Sequence, residues 1–163
     1  MPSTTPRRRR LPRLTTPLAI ALVFALTITA LERVEASETA EKPAPLLTVL
    51  TSAESETQAM ALVLSNQVAG KGGRVDLLLC GPAGDLALAT APEAATQTIT
   101  PTGMTVRSLL EGLLAKGATV EVCAIYLPNR TLEADALMPG VGVAKPPMVA
   151  AKMADPAFKL FTF

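Results

Sequence analysis

Two cysteines, Cys80 and Cys123, and no histidine define the chemistry open to this chain. Without imidazole there is no Ser-His or Cys-His couple, no HExxH zinc site and no histidine acid or base. Two thiols fall short of the usual tetrahedral zinc set, so neither a metal nor a cofactor is expected. Cys123 stands in the apolar stretch Val120-Glu121-Val122-Cys123-Ala124-Ile125. There a cysteine packs readily as a small hydrophobe. It becomes a nucleophile only as a thiolate, which requires a cation or a helix N-terminus nearby and some access. Pro128-Asn129-Arg130 follows within the same segment. Arg130, with a helix opening at Thr131, is therefore the candidate thiolate stabiliser, and Glu121 would oppose it. Cys80 ends another apolar run beside a long loop, again with core packing as the plain alternative. The two thiols reach disulfide distance only if their strands are neighbours; an intervening strand separates them by about 10 Å. Cys123 has further strand residues after it and Cys80 does not, so their depths differ and no stable disulfide is expected.

The elements that must position these residues alternate. Leu46–Thr51 and Val75–Cys80 are short continuous apolar runs suited to strands buried on both faces. Between them Met60, Val63, Leu64 and Val68 recur at helical spacing, with Thr51 and Glu54 at capping-box distance and Gly70 as the stop. Val106, Leu109, Leu110, Leu113 and Leu114 form a complete amphipathic stripe that ends at Gly117. Thr119–Tyr126 is a third strand. Thr131 caps a short helix through Leu137, Val141–Ala144 is a brief strand, Pro147–Ala154 a helix, and Phe158–Phe163 a closing strand. The alternation predicts an α/β domain, a three-layer α/β/α sandwich with a mainly parallel sheet of about five strands. Gly81 to Gly103, 23 residues rich in Ala, Thr, Pro and Gly, is long for a connection. It reads as a mobile flap over a site at the carboxyl edge of the sheet, or as a plain surface loop, with one short helix at Asp85–Thr90.

The ends of the chain differ in character. Residues 1–17 are basic without an acid, and Leu18–Leu31 is an uncharged run of 14 residues, followed by Val34-Glu35-Ala36. A basic n-region, a short apolar h-region and an A-x-A-like site predict a secretory signal over 1–36. Left uncleaved, residues 18–31 would be an inner-membrane anchor, although a span normally takes about 20 residues. Residues 37–45 read as a linker and 46–163 as the domain. Export, to the periplasm, is the expected destination. From Ser37 onward there are nine basic and twelve acidic side chains and four aromatics. Such a body lacks the phosphate-neutralising patch and the stacking platform of a nucleic-acid binder.

Two glycine clusters fail as phosphate loops. Gly70-Lys71-Gly72-Gly73 lacks a glycine at position 65, which is Ser65, and it follows a helix instead of a strand. Gly81-Pro82-Ala83-Gly84 is not G-x-G-x-x-G. No G-x-S-x-G elbow occurs.

Several of these segments taken together resemble a known family. They are Lys116-Gly117-Ala118 after the Leu-rich helix, Val120-Glu121-Val122-Cys123, Leu127-Pro128-Asn129-Arg130, Met138-Pro139-Gly140-Val141 and Phe158-Lys159-Leu160-Phe161-Thr162-Phe163. The stretch Leu109–Phe163 resembles the DsrE/DsrF-like sulfur-trafficking family, and weaker similarity reaches back to Leu46. The resemblance implies the same α/β sandwich and a homo-oligomer, trimer or hexamer. It also implies a persulfide carried on the cysteine at the position of Cys123, making this chain at most a sulfurtransferase-like carrier that meets a thiol-bearing donor or acceptor protein. No role for Cys80 follows from it. The competing expectation is a non-catalytic oligomeric binding or scaffold domain with Cys123 in the core.

Overall fold

The structure, a computed structural model, describes residues 42–163. The expected signal over 1–36, the anchor over 18–31 and most of the linker lie outside the described residues. The chain runs through β1 (Leu46–Leu50), α1 (Ser55–Gly70), β2 (Val75–Leu79), a 3-10 helix (Gly81–Ala87), α2 (Glu93–Thr96), β3 (Thr98–Ile99) and β4 (Met104–Thr105). It continues through α3 (Val106–Ala115), β5 (Thr119–Val122), α4 (Tyr126–Asn129), a 3-10 turn (Ala134–Ala136), β6 (Val141–Val143), α5 (Pro146–Ala154) and β7 (Lys159–Thr162). Five strands form one sheet in the order β6-β5-β2-β1-β7, and every adjacent pair is parallel. β3 and β4 make a separate small hairpin. The α/β sandwich with a five-stranded parallel sheet is thus the fold observed.

Strand register assigns the two faces. The buried hydroxyls of Thr48 and Ser65 share a hydrogen bond of 3.1 Å, which turns Leu46, Thr48 and Leu50 toward α1. Their partners Val75, Leu77 and Leu79, and in turn Val120 and Val122, follow the same alternation. α3 lies beside α1, where Asn66 Nδ2 donates to the Leu109 carbonyl (2.9 Å) and Lys116 Nζ to Asn66 Oδ1 (2.7 Å). The other face carries Asp76 and Glu121. α5 covers it, with Lys152 Nζ 3.4 Å from Asp76 Oδ2 and 3.9 Å from Glu121 Oε2. β2, in the middle, is buried at all five positions, as a parallel strand with helices on both sides requires. The edge strand β7 is exposed at all four.

α3 forms as its stripe predicts, with Val106, Leu109, Leu110 and Leu113 buried. Thr105 and Ser108 close a reciprocal capping box at its start (3.0 and 3.1 Å), and Gly117 adopts φ +81° just past its end. α1 corrects the expectation. Its buried face is Gln58, Ala59, Ala61, Leu62 and Ser65, while Met60 and Leu64 are half exposed. Ala59, Ala61 and Ser65 let the helix sit close to the sheet beside Leu62, and Met60 and Leu64 turn outward. Nor does Thr51 cap it: the Thr51 hydroxyl donates to the Phe163 carbonyl (2.9 Å), tying β1 to the end of β7. The Gly81–Gly103 segment is neither a flap nor a plain loop. Ala83, Leu86, Ala87 and Ala95 are buried in it. Its backbone is pinned by Met138 N to Ala87 O (2.8 Å), Ala89 N to Ala136 O (2.9 Å) and Arg107 Nη1 to Leu88 O (2.7 Å).

Candidate functional site at the carboxyl ends of β2 and β5

β2 and β5 are direct neighbours, with Leu79 opposite Val122, so the residue after each strand stands beside the other. These residues are Cys80 and Cys123. Cys80 N donates to the Leu50 carbonyl (3.0 Å) and Cys123 N to the Leu79 carbonyl (2.9 Å). The two cysteines are joined as a disulfide, with their Cα atoms 5.1 Å apart. That overturns the expectation of two unpaired thiols at unequal depth. β5 ends at Val122, four residues earlier than Thr119–Tyr126 would have it, because Tyr126 N bonds back to the Cys123 carbonyl (2.8 Å) and the chain turns into α4. Both cysteines therefore lie at one level, one residue past their strands, and each is half-buried.

The expected helix from Thr131 is also absent. Thr131 sits in a left-handed turn at φ +53°, and only the three-residue turn Ala134–Ala136 follows. Four-residue α4 comes before Arg130 instead, with Pro128 inside its first turn, where a missing N–H costs little. A helix-end field at Thr131 is therefore no part of the site.

Arg130 is held close to the Cys80 side. Its Nε lies 3.0 Å from Asp85 Oδ1, its Nη2 donates to the carbonyl of Gly81 (3.2 Å), and its guanidinium stacks on the Tyr126 ring at 4.2 Å. Tyr126, 2% exposed, donates its hydroxyl to the same Asp85 oxygen at 2.8 Å. Burial first, then the hydrogen bond and charge of Asp85, raise the Tyr126 pKa well above its ordinary value, against the lowering pull of Arg130. The phenol therefore stays a donor. Gly84 makes this cluster fit: a Cβ there would fall inside the Tyr126 ring. The cation predicted for the site thus binds the carbonyl of the residue after Cys80 and is partly neutralised by Asp85.

On the α5 side, Cys123 borders a groove of about 220 Å³ whose walls include Leu78, Ala144, Pro146, Val149 and Met153. Cys80 does not line it. Deeper under α5, Asp76 is 2% exposed, with Arg74 Nη2 at 2.9 Å and Lys152 at 3.4 Å as its cations and no well-aligned hydrogen bond among the described residues. An aspartate inside the run Val75-Asp76-Leu77-Leu78-Leu79 was a visible sign of a buried charge that the sequence reading passed over. Its pairing with Lys152 ties down α5, the helix that supplies Pro146, Val149 and Met153 to the groove. Among the described residues no group of three His, Cys, Asp or Glu side chains gathers to hold a metal ion.

With this geometry in place, known proteins add a likeness of fold. The structure is similar to the crystal structure of the ychN protein from E. coli, with a TM-score of 0.59 and 20% sequence identity over 74% of this chain and 100% of that one. At that identity the likeness speaks to fold alone. No protein-family model matches the chain, and no curated protein does.

Proposed function

We propose that this chain is an exported sulfur carrier in which Cys123 accepts a sulfane sulfur as a persulfide and yields it to the thiol of a partner protein. The observation that carries this is the position of Cys123: half-buried at the carboxyl edge of a parallel sheet, bordering a groove. In such sheets ligands bind outside the carboxyl ends of the strands. The likeness of Leu109–Phe163 to the DsrE/DsrF-like family supports the same reading. In the transfer, the Cys123 thiolate attacks a sulfane-sulfur donor. A sulfur–sulfur bond forms at Cys123, and the donor leaves one sulfur shorter with the electron pair of the broken bond. Because Cys123 is paired with Cys80, the acceptor form is the reduced protein, and a dithiol reductant must open the disulfide first.

The disulfide itself favours a second reading, a structural staple in an exported scaffold. Alkylation of the reduced, folded protein at about pH 6, where an ordinary thiol is almost wholly protonated, separates the two. Labelling of Cys123 before unfolding is expected for a carrier; labelling of neither cysteine until the chain is unfolded would leave the staple.

Export rests on the leader, and an oxidising compartment suits a disulfide. Self-association is supported by β7, an edge strand that exposes Leu160 (44%) and Phe161 (55%) on its two faces. No helix among the described residues is long and apolar enough to cross a membrane.

A further inference from the structure

The carrier reading leaves Cys80 without a task, yet Cys80 is bonded directly to Cys123, the residue read as holding the sulfur. We propose that Cys80 is a resolving cysteine: it attacks the persulfide on Cys123, releases the carried sulfur as sulfide and closes the disulfide seen here. This inference rests on the carrier reading and extends it from transfer to reduction.

Three observations support it. The Cα atoms are 5.1 Å apart and the sulfurs are joined, so Cys80 reaches Cys123 Sγ without any movement of the strands. The pair sits one residue past adjacent strands of a buried parallel sheet, which holds both thiols at that distance after reduction. The two cysteines are also unequal. Cys123 borders the groove, whose 220 Å³ is several times the roughly 30 Å³ that a water occupies in the liquid, leaving room for an outer sulfur. Cys80 is absent from the groove wall and is followed by Gly81, whose carbonyl binds Arg130, which brings a cation to the attacking side. An accessible thiol poised next to a resolving cysteine is a common arrangement for reversible sulfur oxidation.

The step balances. The Cys80 thiolate forms a bond to Cys123 Sγ, and the bond from Cys123 Sγ to the outer sulfur breaks. The outer sulfur leaves as hydrosulfide with the electron pair. The two cysteine sulfurs together lose two electrons, and the sulfane sulfur gains them. A dithiol reductant returns the pair to thiols, so each cycle consumes one dithiol and one sulfane sulfur.

The test uses the reduced full chain, freed of reductant, treated briefly with inorganic polysulfide and desalted. Wild type, Cys80→Ser, Cys80→Ala and Cys123→Ser are followed by intact mass, thiol count and sulfide release. We expect a one-sulfur increment on Cys123 that persists in both Cys80 variants at least about tenfold longer than in wild type, as an intramolecular attack of high effective concentration requires. Wild type should lose its increment while releasing one sulfide and losing two thiols per chain. Equal persulfide lifetimes in wild type and both Cys80 variants would overturn the resolving role and leave the carrier intact. No increment on Cys123 in either Cys80 variant would overturn the carrier reading itself. An increment on Cys80 in Cys123→Ser, with none on Cys123 in the Cys80 variants, would overturn the assignment of roles.

Discussion

The carboxyl ends of β2 and β5 and the outer edge at β7 belong to one parallel sheet, yet they are built in opposite ways. The first is cross-linked between Cys80 and Cys123, overlaid by the Tyr126–Asp85–Arg130 cluster and walled by α5. Its fixed contacts are specific: a covalent bond, a charged hydrogen bond, a ring that admits no Cβ at Gly84. Among the described residues the β7 edge has neither a cross-link nor an ion pair. Leu160 and Phe161 stand out into solvent, and a groove of about 520 Å³ opens between β7 and α1, lined by Leu64, Val68 and Phe161 among others. The larger and more apolar depression is thus remote from the cysteines. Size alone would direct attention to the wrong end of the sheet. Chemistry needs fixed neighbours, which the β2–β5 end has; association needs unsatisfied apolar surface, which the β7 edge has.

The contrast can be broken in order of effect. Opening the disulfide should cost most. Closing a loop with a sequence separation of 43 residues is worth about 4 kcal/mol in the chain-entropy account. Reduced protein or Cys80→Ser is expected to show that loss in the urea midpoint while keeping the native circular dichroism spectrum. Gly84→Ala should follow at about 3 kcal/mol, because the new methyl meets a Tyr126 ring already pinned by Asp85 and Arg130; an unchanged melting curve would show that the cluster is loose. Tyr126→Phe removes one hydrogen bond to a charged acceptor, about 1.5 kcal/mol at neutral pH. This deficit has a pH signature. The raised Tyr126 pKa keeps its stabilisation whole below the ordinary value of 10.0 and erodes it as pH climbs above that. Stability curves of wild type and Tyr126→Phe should therefore converge above about pH 10, and parallel curves would argue against the bond. Phe161→Ser should be mildest for folding, about 0.5 kcal/mol, since the ring is 55% exposed. Its expected consequence is in light scattering, where the wild type is the larger species and the variant shifts toward the monomer.

How far the sequence reached follows the same division. α3 was legible because Val106, Leu109, Leu110 and Leu113, which repeat at the helical period, are all buried. α1 was not, since its buried face is Gln58, two alanines, Leu62 and Ser65, while Met60 and Leu64 point outward. Strand existence could be read from apolar runs, and the α/β class with it, but strand order could not. The pairing of Cys80 with Cys123 depends on β2 lying next to β5 and on β5 stopping at Val122. The first is a matter of topology, and the second comes from a backbone bond between Tyr126 and Cys123 that leaves no mark in composition. The Tyr126–Asp85 bond spans 41 positions and was equally invisible. Arg130 was recognisable as the nearby cation, though not its engagement by Asp85.

The proposed carrier role requires that Cys123, once reduced, takes up sulfur while the chain is folded. The most direct measurement is peptide mass mapping of reduced, folded Cys80→Ser after brief exposure to polysulfide, with an alkylating cap that preserves persulfides. A carrier should show an increment of one sulfur confined to the Cys123 peptide. A native fold with no added sulfur at Cys123, and uptake only after denaturation, would contradict it and return the pair to a purely structural bond.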